Sequence, residues 1–312
     1  MADDTIHDLV IVGAGPSALA AAIYTTREDI ETTLLEKGVV GGLAAITDWV
    51  DNYPGFAKGV SGLEFADQLR AQAERFGAKI VLGEVSQVID EGDYKRLTTT
   101  DGDYKAKAVL IATGTDYKKL GIPGEQEFYG RGVHYCATCD GAFYRDKRLV
   151  VVGGGNSAVQ EALFLTRYAT HIDMLVRSEL KASDVLLHEL AKNDKITVHE
   201  GTTTDQIEGA DNKVTKVLGM HEGKQVTFQT DGVFVFIGLI PNTQFLRGSA
   251  IEIDERGFIV TNAKLETAMK GVFASGDVRA GATMQIASAS GEGATAALMI
   301  RQYLEGGDGR LY

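Results

Sequence analysis

The sequence has little cysteine, no long apolar run and no excess of positive charge. Its two cysteines in 312 residues lie within four residues of each other, which excludes the disulfide framework of a small secreted domain. The net charge of −12 argues against nucleic acid or an anionic membrane as the main partner. The longest apolar runs, at 109–112, 149–152 and 233–240, are too short to cross a bilayer and suit buried parallel strands.

The amino terminus also lacks the features of a secretory signal. The first eight residues are acidic and contain neither a basic region nor an apolar core, so we expect a cytoplasmic protein. In a reducing compartment, a close pair of cysteines is more often catalytic than structural. The length of 312 residues exceeds one typical core, so two domains are expected.

One segment of the sequence occurs twice. Residues 9–27 read LVIVGAGPSALAAAIYTTR, residues 149–167 read LVVVGGGNSAVQEALFLTR, and ten of these nineteen positions are identical. Each copy has a short β-branched strand, a glycine-rich turn and a helix with apolar residues at helical spacing. Because this is the opening of a βαβ unit, two copies predict an α/β protein with two Rossmann-like dinucleotide-binding domains.

The strands around the second copy predict how the domains are ordered. A buried strand at 109–114 precedes this copy, and a similar strand at 233–238 follows it. Another strand and turn at 272–277 lead into an alanine-rich helix at 285–304. The simplest assembly therefore inserts the second domain into the first.

The predicted domain limits follow from this order. The first domain comprises residues 1–116 and 247–312, and the inserted domain, which carries both cysteines, comprises residues 117–246. Hinges are expected near 113–118 and 240–244.

The first glycine-rich turn has the pattern of a dinucleotide site. Gly13 and Gly15 permit a tight turn and let the backbone approach a pyrophosphate at the N-terminus of the following helix. Ala18 takes the third small position. Glu36 lies 21 residues past Gly15, where an acid hydrogen-bonds a ribose 2′-hydroxyl. A structural turn with a surface glutamate is the competing interpretation, which the strand–turn–helix context disfavours.

The second turn, at residues 153–158, lacks such an acid. Val176 stands 21 residues past Gly155 and cannot bind a ribose hydroxyl, while the basic Arg177 and Lys181 follow it. Basic groups at this place suit a 2′-phosphate, so the pattern favours NADPH over NADH. A solvated basic surface is an equal alternative.

The two cysteines belong to a Cys-Ala-Thr-Cys-Asp motif at residues 136–140. Two residues between cysteines suit reversible disulfide formation, and Asp140 beside the second sulfur suits the transfer of a proton to a leaving thiolate. Half of a zinc site is the competing interpretation, but zinc needs four ligands and His134 gives only a third candidate. An inert buried pair fits poorly with two nucleotide-binding folds. The motif therefore predicts a redox centre made by Cys136 and Cys139.

These motifs together resemble those of the low-molecular-weight thioredoxin reductases across almost the full length. The shared segments are VGAGPSA at 12–18, DNYPGF at 51–56, Ala-Thr-Gly at 112–114, CATCDG at 136–141 followed by Phe143, VGGGNSAVQEALFLTR at 152–167 and Gly-Asp-Val-Arg at 276–279. The resemblance implies FAD in the first domain, NADPH in the inserted domain, a homodimer and a thioredoxin-like protein as substrate.

The resemblance also implies roles for the redox residues. In that family the second cysteine faces the flavin and the first attacks the disulfide of the protein substrate. Carried over, Cys139 is the flavin-proximal sulfur, Cys136 the interchange thiol and Asp140 the acid. Because this pair belongs to the nicotinamide domain, it cannot meet flavin and protein substrate in one pose, and family members rotate one domain against the other.

Cofactor-binding residues are implied in the same way. For FAD they are Gly13, Gly15, Pro16, Ser17, Glu36, Lys37, Gly41, Gly42, Leu43, Asn52, Val85, Thr113, Gly114, Gly276, Asp277, Gln285 and Ile286, with Val85 at the adenine. For the nicotinamide they are Gly153, Gly155, Asn156, Ser157, Arg177, Lys181 and Gly238.

Three departures from the family pattern concern the cofactors. The NADPH signature of His-Arg-Arg, three residues and Arg appears here as Leu-Val-Arg at 175–177 with Lys181. Gly-Gly-Gln near the isoalloxazine appears as Gly-Gly-Leu at 41–43, and Arg-Gln before the last helix appears as Met-Gln at 284–285. We expect flavin binding to be intact, while its potential and its electron donor differ from the family pattern.

Three alternatives stand beside an NADPH-dependent thioredoxin reductase. The incomplete basic cluster motivates a related reductase fed by NADH, reduced ferredoxin or another flavin. A dithiol oxidase that uses oxygen is disfavoured by the intact second glycine-rich turn, because it needs no second dinucleotide. A non-catalytic flavin redox sensor would show unchanged protein-disulfide reduction after the substitution Cys139→Ser.

Overall fold

The computed structural model describes residues 5–47 and 49–306. The ends of the predicted first domain, 1–4 and 307–312, lie outside the described residues, and so does the start of the acidic amino terminus. By its internal contacts the chain separates into two compact units. The first contains the residues up to Asp116 and from Ile240 onward, and the second contains Tyr117–Leu239.

The point at which the chain passes back from the second unit to the first differs from the sequence-based boundary. The sequence placed it between residues 246 and 247, whereas the first unit already begins again at Ile240. The reason is that Leu246 is only 1% exposed and packs in the core of the first unit with Val10, Val109 and Ile259.

Up to the point where the chain enters the second unit, its described part forms mostly strands, together with three helices. In order they are β1 (Ile6–Val12), α1 (Pro16–Thr26), β2 (Thr32–Glu36), α2 (Gly42–Ala45), β3 (Trp49–Val50), β4 (Val60–Ser61), α3 (Gly62–Arg75), β5 (Lys79–Leu82), β6 (Val85–Asp90), β7 (Lys95–Thr99), β8 (Gly102–Ile111) and β9 (Thr115–Tyr117).

The remaining elements belong to the second unit and to the return into the first. They are β10 (Val133–His134), α4 (Ala137–Asp140), a 3-10 helix (Gly141–Tyr144), β11 (Arg148–Val152), α5 (Asn156–Leu165), β12 (His171–Leu175), α6 (Asp184–Ala191), β13 (Ile196–His199), β14 (Gln206–Ala210), β15 (Lys213–His221), β16 (Lys224–Gln229), β17 (Gly232–Val235), β18 (Leu239–Pro241), a 3-10 helix (Gln244–Leu246), β19 (Val272–Ala274), a 3-10 helix (Gly276–Val278) and α7 (Ile286–Leu304).

Four parallel strands have the same order in the two units, whereas the fifth follows the other strands of the sheet in the first unit (β19) and precedes the glycine-rich repeat in the second (β10). In the first unit the parallel strands run β5-β2-β1-β8-β19, and β6 and β7 extend β8 as an antiparallel meander. In the second unit the parallel strands run β13-β12-β11-β17-β10, and β14, β15 and β16 form the antiparallel meander. The predicted α/β class with two Rossmann-like units is confirmed, and the repeat extends well beyond the glycine-rich turns.

Candidate functional site

The first glycine-rich turn joins the end of β1 to α1. Gly13 has φ 102°, and a Cβ on it would lie 2.6 Å from the Ala112 carbonyl oxygen, so the fold itself requires glycine there. Gly15 has an ordinary φ of −75°, and a Cβ on it would meet no atom of the described residues within 4 Å. The protein therefore leaves the space beside Gly15 open, at a helix N-terminus that no described side chain caps.

Glu36 ends β2 next to this turn. One of its carboxylate oxygens accepts a hydrogen bond from the Ala14 N–H at 2.7 Å, and the other accepts one from the Gly38 N–H at 2.7 Å. Because each carboxylate oxygen has two lone pairs, the fixed side chain can accept a further hydroxyl group.

A cavity of about 110 Å³ opens between the turn and Glu36. Its lining consists of Val12, Gly13, Leu35, Glu36, Lys37, Gly83, Glu84, Val85, Thr113, Asn242, Gln244 and Phe245. The structure thus brings together Gly13, Glu36, Lys37, Val85 and Thr113, which are far apart in the sequence.

Sequence reasoning missed the part of this lining that comes from residues 242–245. The Thr113 hydroxyl donates to the Asn242 carbonyl oxygen at 2.7 Å, and the Asn242 amide donates to the Thr113 carbonyl oxygen at 3.1 Å. No local signal in the sequence marked these residues, because the contacts between Thr113 and Asn242 join positions 129 residues apart.

A second group of predicted FAD residues surrounds the N-terminus of α7. Gln285 precedes this helix, and its Oε1 accepts a hydrogen bond from Asn52 Nδ2 at 3.1 Å across 233 positions of sequence. The hydroxyls of Ser17 and Ser275 lie 2.7 Å apart and join the start of α1 to the 3-10 helix that carries Asp277. The starts of α1 and α7 therefore face one region of the first unit.

The carboxylate of Asp277 has no hydrogen-bond donor or ion-pair partner among the described residues. Burial, and then the negative charge of Glu292, raise the pKa of Asp277 to about 6. Glu292 is fixed by Arg279, whose Nη2 and Nε lie 2.7 and 3.1 Å from its two oxygens, and by the Gly276 N–H at 2.8 Å. The fold thus holds a carboxylate where its ionisation is unfavourable.

The second glycine-rich turn repeats the backbone of the first. Gly153 has φ 143°, and a Cβ on it would collide with the Phe236 carbonyl oxygen. Gly155 precedes α5 with φ −94°, and a Cβ on it would meet no described atom within 4 Å. Each copy of the repeat therefore pairs a glycine required by packing with a glycine that leaves open space.

The segment after β12 folds back over this second turn. The Lys181 N–H donates to the Gly154 carbonyl oxygen at 2.7 Å, and the Ser183 N–H donates to Asn156 Oδ1 at 2.8 Å. Asn156 therefore fixes this segment through its side chain. The exposed side chains of Arg177 and Lys181 have no ion-pair partner within the described part of the chain.

Three further predicted nucleotide residues lie at accessible positions. Gly155 and Ser157 are exposed at the start of α5, and Gly238 has φ 116° with open space where a Cβ would project among the described residues.

Cys136 and Cys139 form a disulfide, with their Cα atoms 5.3 Å apart. Cys136 immediately precedes α4, and its sulfur accepts a hydrogen bond from the Cys139 N–H at 3.2 Å. Both cysteines are partly exposed. Since the sequence holds only these two cysteines, this pair is the whole thiol–disulfide capacity of the chain.

Asp140, the last residue of the motif, contacts a buried histidine. Its Oδ2 lies 3.3 Å from His134 Nδ1, and His134 Nε2 lies 2.6 Å from the Tyr144 hydroxyl oxygen. His134 is 7% exposed and stacks on Phe234. Sequence reasoning considered His134 only as a zinc ligand, because no local pattern predicts that it faces Asp140.

The described residues contain neither a candidate metal site nor a candidate membrane span. Within 5–47 and 49–306, no group of three or more His, Cys, Asp or Glu side chains is placed to hold a metal ion. In the same ranges, no helix combines the length and apolar character of a membrane span.

Comparison with known proteins identifies the family. The model of the pyridine nucleotide-disulphide oxidoreductases matches residues 7–293. The chain belongs to this family. Among similar members, thioredoxin reductase of Bacillus subtilis is 41% identical over 308 residues, which is 98% of this chain and 97% of that protein. Thioredoxin reductase of Treponema pallidum is 40% identical over 305 residues, or 97% of this chain and 98% of that protein.

Solved structures of pyridine nucleotide-disulphide oxidoreductases agree with the fold. The crystal structure of thioredoxin reductase from Streptococcus pyogenes superposes with a TM-score of 0.92 at 38% identity and covers 97% of this chain and 100% of that one. Thioredoxin reductase from Giardia duodenalis gives a TM-score of 0.91 at 30% identity over 96% of this chain and 100% of that one. The resemblance seen in the motifs and the prediction of a disulfide-dependent oxidoreductase are confirmed.

Proposed function

We propose that this protein is a flavin-dependent thioredoxin reductase, which passes electrons from NAD(P)H through FAD and the Cys136–Cys139 pair to a thioredoxin-like protein. The observation that carries the proposal is the disulfide itself. It is formed by the only two cysteines of the chain and lies in the second of two dinucleotide-type units. Its similar relatives are named thioredoxin reductases.

The first unit has the features that FAD needs. The open space beside Gly15, at an uncapped helix N-terminus among the described residues, suits a pyrophosphate. The cavity lined by Glu36, Lys37 and Val85 suits an adenosine, with Glu36 as acceptor of a ribose hydroxyl. Asp277 would accept a hydroxyl from the chain that follows the pyrophosphate.

Other predicted FAD residues support the same placement. The Gly41 N–H donates to the Ala14 carbonyl oxygen at 2.8 Å, and a Cβ on Gly42 would lie 3.7 Å from the Gly15 Cα. Gly41 and Gly42 therefore border the same open space, with Leu43 following them in α2.

The second unit has the corresponding features for a nicotinamide dinucleotide. Gly155 and Ser157 are exposed at the start of α5, and the exposed side chains of Arg177 and Lys181 follow β12. These two cations suit a 2′-phosphate, so we propose NADPH as the donor.

Val176 favours a second candidate donor, NADH. This side chain is 2% exposed, and its Cγ1 would lie 2.6 Å from a Cβ placed on Gly154. An apolar residue packed under the turn adds no positive charge for a phosphate, so the site has fewer cations than the family signature provides.

The redox step needs few protein groups. A bound flavin supplies two-electron transfer between the nicotinamide and the disulfide. Cys136 and Cys139 accept two electrons as their S–S bond breaks, and they hold these electrons as two thiols. The Cys139 N–H stabilises a thiolate on Cys136, and Asp140 gives or takes the proton that converts thiolate to thiol.

Exposed apolar side chains suit the proposed protein partners. Phe143, 57% exposed, lies in the 3-10 helix that follows the redox motif and would contact the protein substrate. In the first unit, Val39, Ile46 and Leu63 are at least 50% exposed, which suits the predicted homodimer. The cytoplasmic location of the protein stays a prediction.

The test is anaerobic reduction of the FAD-loaded protein by NADPH and NADH in parallel, followed by addition of a thioredoxin. We expect rapid bleaching of the flavin, faster with NADPH, and then reduction of the thioredoxin. In Cys139→Ser, bleaching should persist while thioredoxin reduction is lost. If neither nucleotide bleaches the flavin, the proposed nicotinamide donor is wrong. If Cys139→Ser still reduces thioredoxin, the electrons do not pass through the disulfide.

A further inference from the structure

His134 connects three elements beside the redox disulfide. It lies on β10, contacts Asp140 at the end of α4 through Nδ1, and contacts Tyr144 of the following 3-10 helix through Nε2. A neutral imidazole has one donor and one acceptor nitrogen. Because a carboxylate only accepts, Nδ1 carries the proton toward Asp140, and Nε2 accepts from the Tyr144 hydroxyl.

The groups that face this contact support that arrangement. Burial, and then the charges of Asp140 and Asp231, raise the pKa of Tyr144. Burial, and then the charge of Asp140, raise the pKa of Tyr129. Both phenols therefore stay protonated near neutral pH, and the Tyr144 hydroxyl remains a donor to His134. Phe234 covers one face of the imidazole, with ring centroids 5.2 Å apart, and limits its rotation.

We propose that His134 is a positioning residue that orients Asp140 for proton exchange with the Cys136–Cys139 pair. This role accounts for a buried histidine that is held on both ring nitrogens next to this motif. The inference deepens the proposed function and rests on it, because it concerns the same dithiol.

The two hydrogen bonds explain why an imidazole is useful here. The Tyr144 hydroxyl donates to Nε2 and so keeps the proton of the neutral ring on Nδ1, where it points at the Asp140 carboxylate. The carboxylate is thereby held in one orientation beside the redox motif.

The step can be written in full for the reduction of a disulfide substrate. The Cys136 thiolate attacks one substrate sulfur, the substrate S–S bond breaks, and the first thiolate leaves. The Cys139 thiol gives its proton to Asp140, its sulfur attacks Cys136, and the second thiolate leaves. The dithiol has lost two electrons to the substrate. The proton taken up by Asp140 passes to one leaving thiolate, and the other leaves as an anion.

Two substitutions separate the contacts of His134. In His134→Gln the amide takes the place of Nε2, so the contact with Tyr144 is kept and that with Asp140 is lost. In His134→Asn the amide takes the place of Nδ1, so a donor to Asp140 is kept but cannot ionise. His188→Gln is the matched control, because His188 is exposed on α6.

The experiment measures one turnover of the full-length, FAD-containing protein. The dithiol is reduced with dithiothreitol, the reductant is removed, and an aromatic disulfide that releases a coloured thiol is added at about pH 5.5 to 8.5. Pre-reduction makes the result independent of the nicotinamide test, so failure of the proposed donor and failure of this inference are distinguishable.

We expect His134→Gln to slow thiol release at pH 7 roughly tenfold and to change its pH profile, because Asp140 loses its donor. His134→Asn keeps that donor and should recover much of the rate, and His188→Gln should match the wild type. Equal rates and profiles in wild type and His134→Gln would overturn the proposal, as would a His134→Asn protein that is no faster than His134→Gln. If His134→Gln does not fold, Tyr144→Phe serves instead, and an unchanged profile there overturns the proposal.

Discussion

Gly13 and Gly15 belong to one motif, but glycine suits the two positions for different physical reasons. The Gly13 conformation, with φ 102°, and its approach to Ala112 are requirements of the fold. Gly15 has no such requirement among the described residues, so we expect its missing side chain to leave room for a ligand.

These reasons predict opposite effects of the same substitution. Gly13→Ala should lower the free energy of unfolding of the flavin-free protein by about 2–4 kcal/mol, because it adds strain and a clash. Gly15→Ala should leave that quantity unchanged or raise it by up to about 1 kcal/mol, while flavin affinity falls at least tenfold. Urea unfolding and flavin titration measure both effects. A Gly15→Ala protein that binds FAD normally would contradict this assignment.

Asp277 makes stability depend on pH in a definite direction. Its pKa in the folded protein, about 6, lies above the ordinary value of 3.8. Between these pH values the folded state binds more protons than the unfolded state, so stability falls as pH rises through the window and then levels off.

Asp277→Asn should remove this dependence. In the flavin-free protein at pH 7.5, we expect its unfolding free energy to exceed that of the wild type by at most about 3 kcal/mol, with little difference near pH 4. Urea unfolding at both pH values checks this. Parallel pH dependence of the two proteins would show that Asp277 is not the group responsible. The same variant should bind FAD less tightly, because the acceptor is weaker.

At the scale of elements, the packing of α1 against α7 depends on small residues. A Cβ on Gly293 of α7 would collide with the Ser17 carbonyl oxygen of α1, whereas a Cβ on the exposed Gly291 would meet no described atom within 4 Å. The close approach of these helices also places their N-terminal ends near each other.

This packing predicts a matched pair of substitutions. Gly291→Ala should stabilise the protein by about 0.5–1 kcal/mol through helix propensity alone. Gly293→Ala should destabilise it by about 2–4 kcal/mol, because the helices must separate. Thermal unfolding of both variants compares them directly, and a stabilised Gly293→Ala protein would refute the close packing.

At the scale of the whole molecule, the redox capacity follows from two centres. The disulfide takes two electrons and a bound flavin takes two, so anaerobic reduction of the FAD-loaded protein should consume four electrons per chain. The double variant Cys136→Ser/Cys139→Ser should consume two, because the sequence holds no other cysteine. A reductive titration counts them, and an equal count in both proteins would exclude the disulfide as an electron acceptor.

Local sequence patterns predicted the features that depend only on residues close together in the sequence. The repeated glycine-rich segment, the acid 21 residues past Gly15 and the Cys-x-x-Cys pair each follow from chemistry within one βαβ unit or one turn. The contact between His134 and Asp140 and the lining of the cavity by Asn242 had no such pattern. The first depends on how α4 folds back toward β10, and the second on contacts of Asn242 with Thr113 across 129 positions.

The sequence by itself determined the α/β class, the two nucleotide-type units and the redox pair, since periodicity and spacing encode the path of the backbone. Only the tertiary structure decided that the first unit resumes at Ile240, that Asp277 faces no partner among the described residues, and that His134 lies between Asp140 and Tyr144. Burial and charge at these positions depend on contacts between separate elements, and a linear sequence does not show which elements meet.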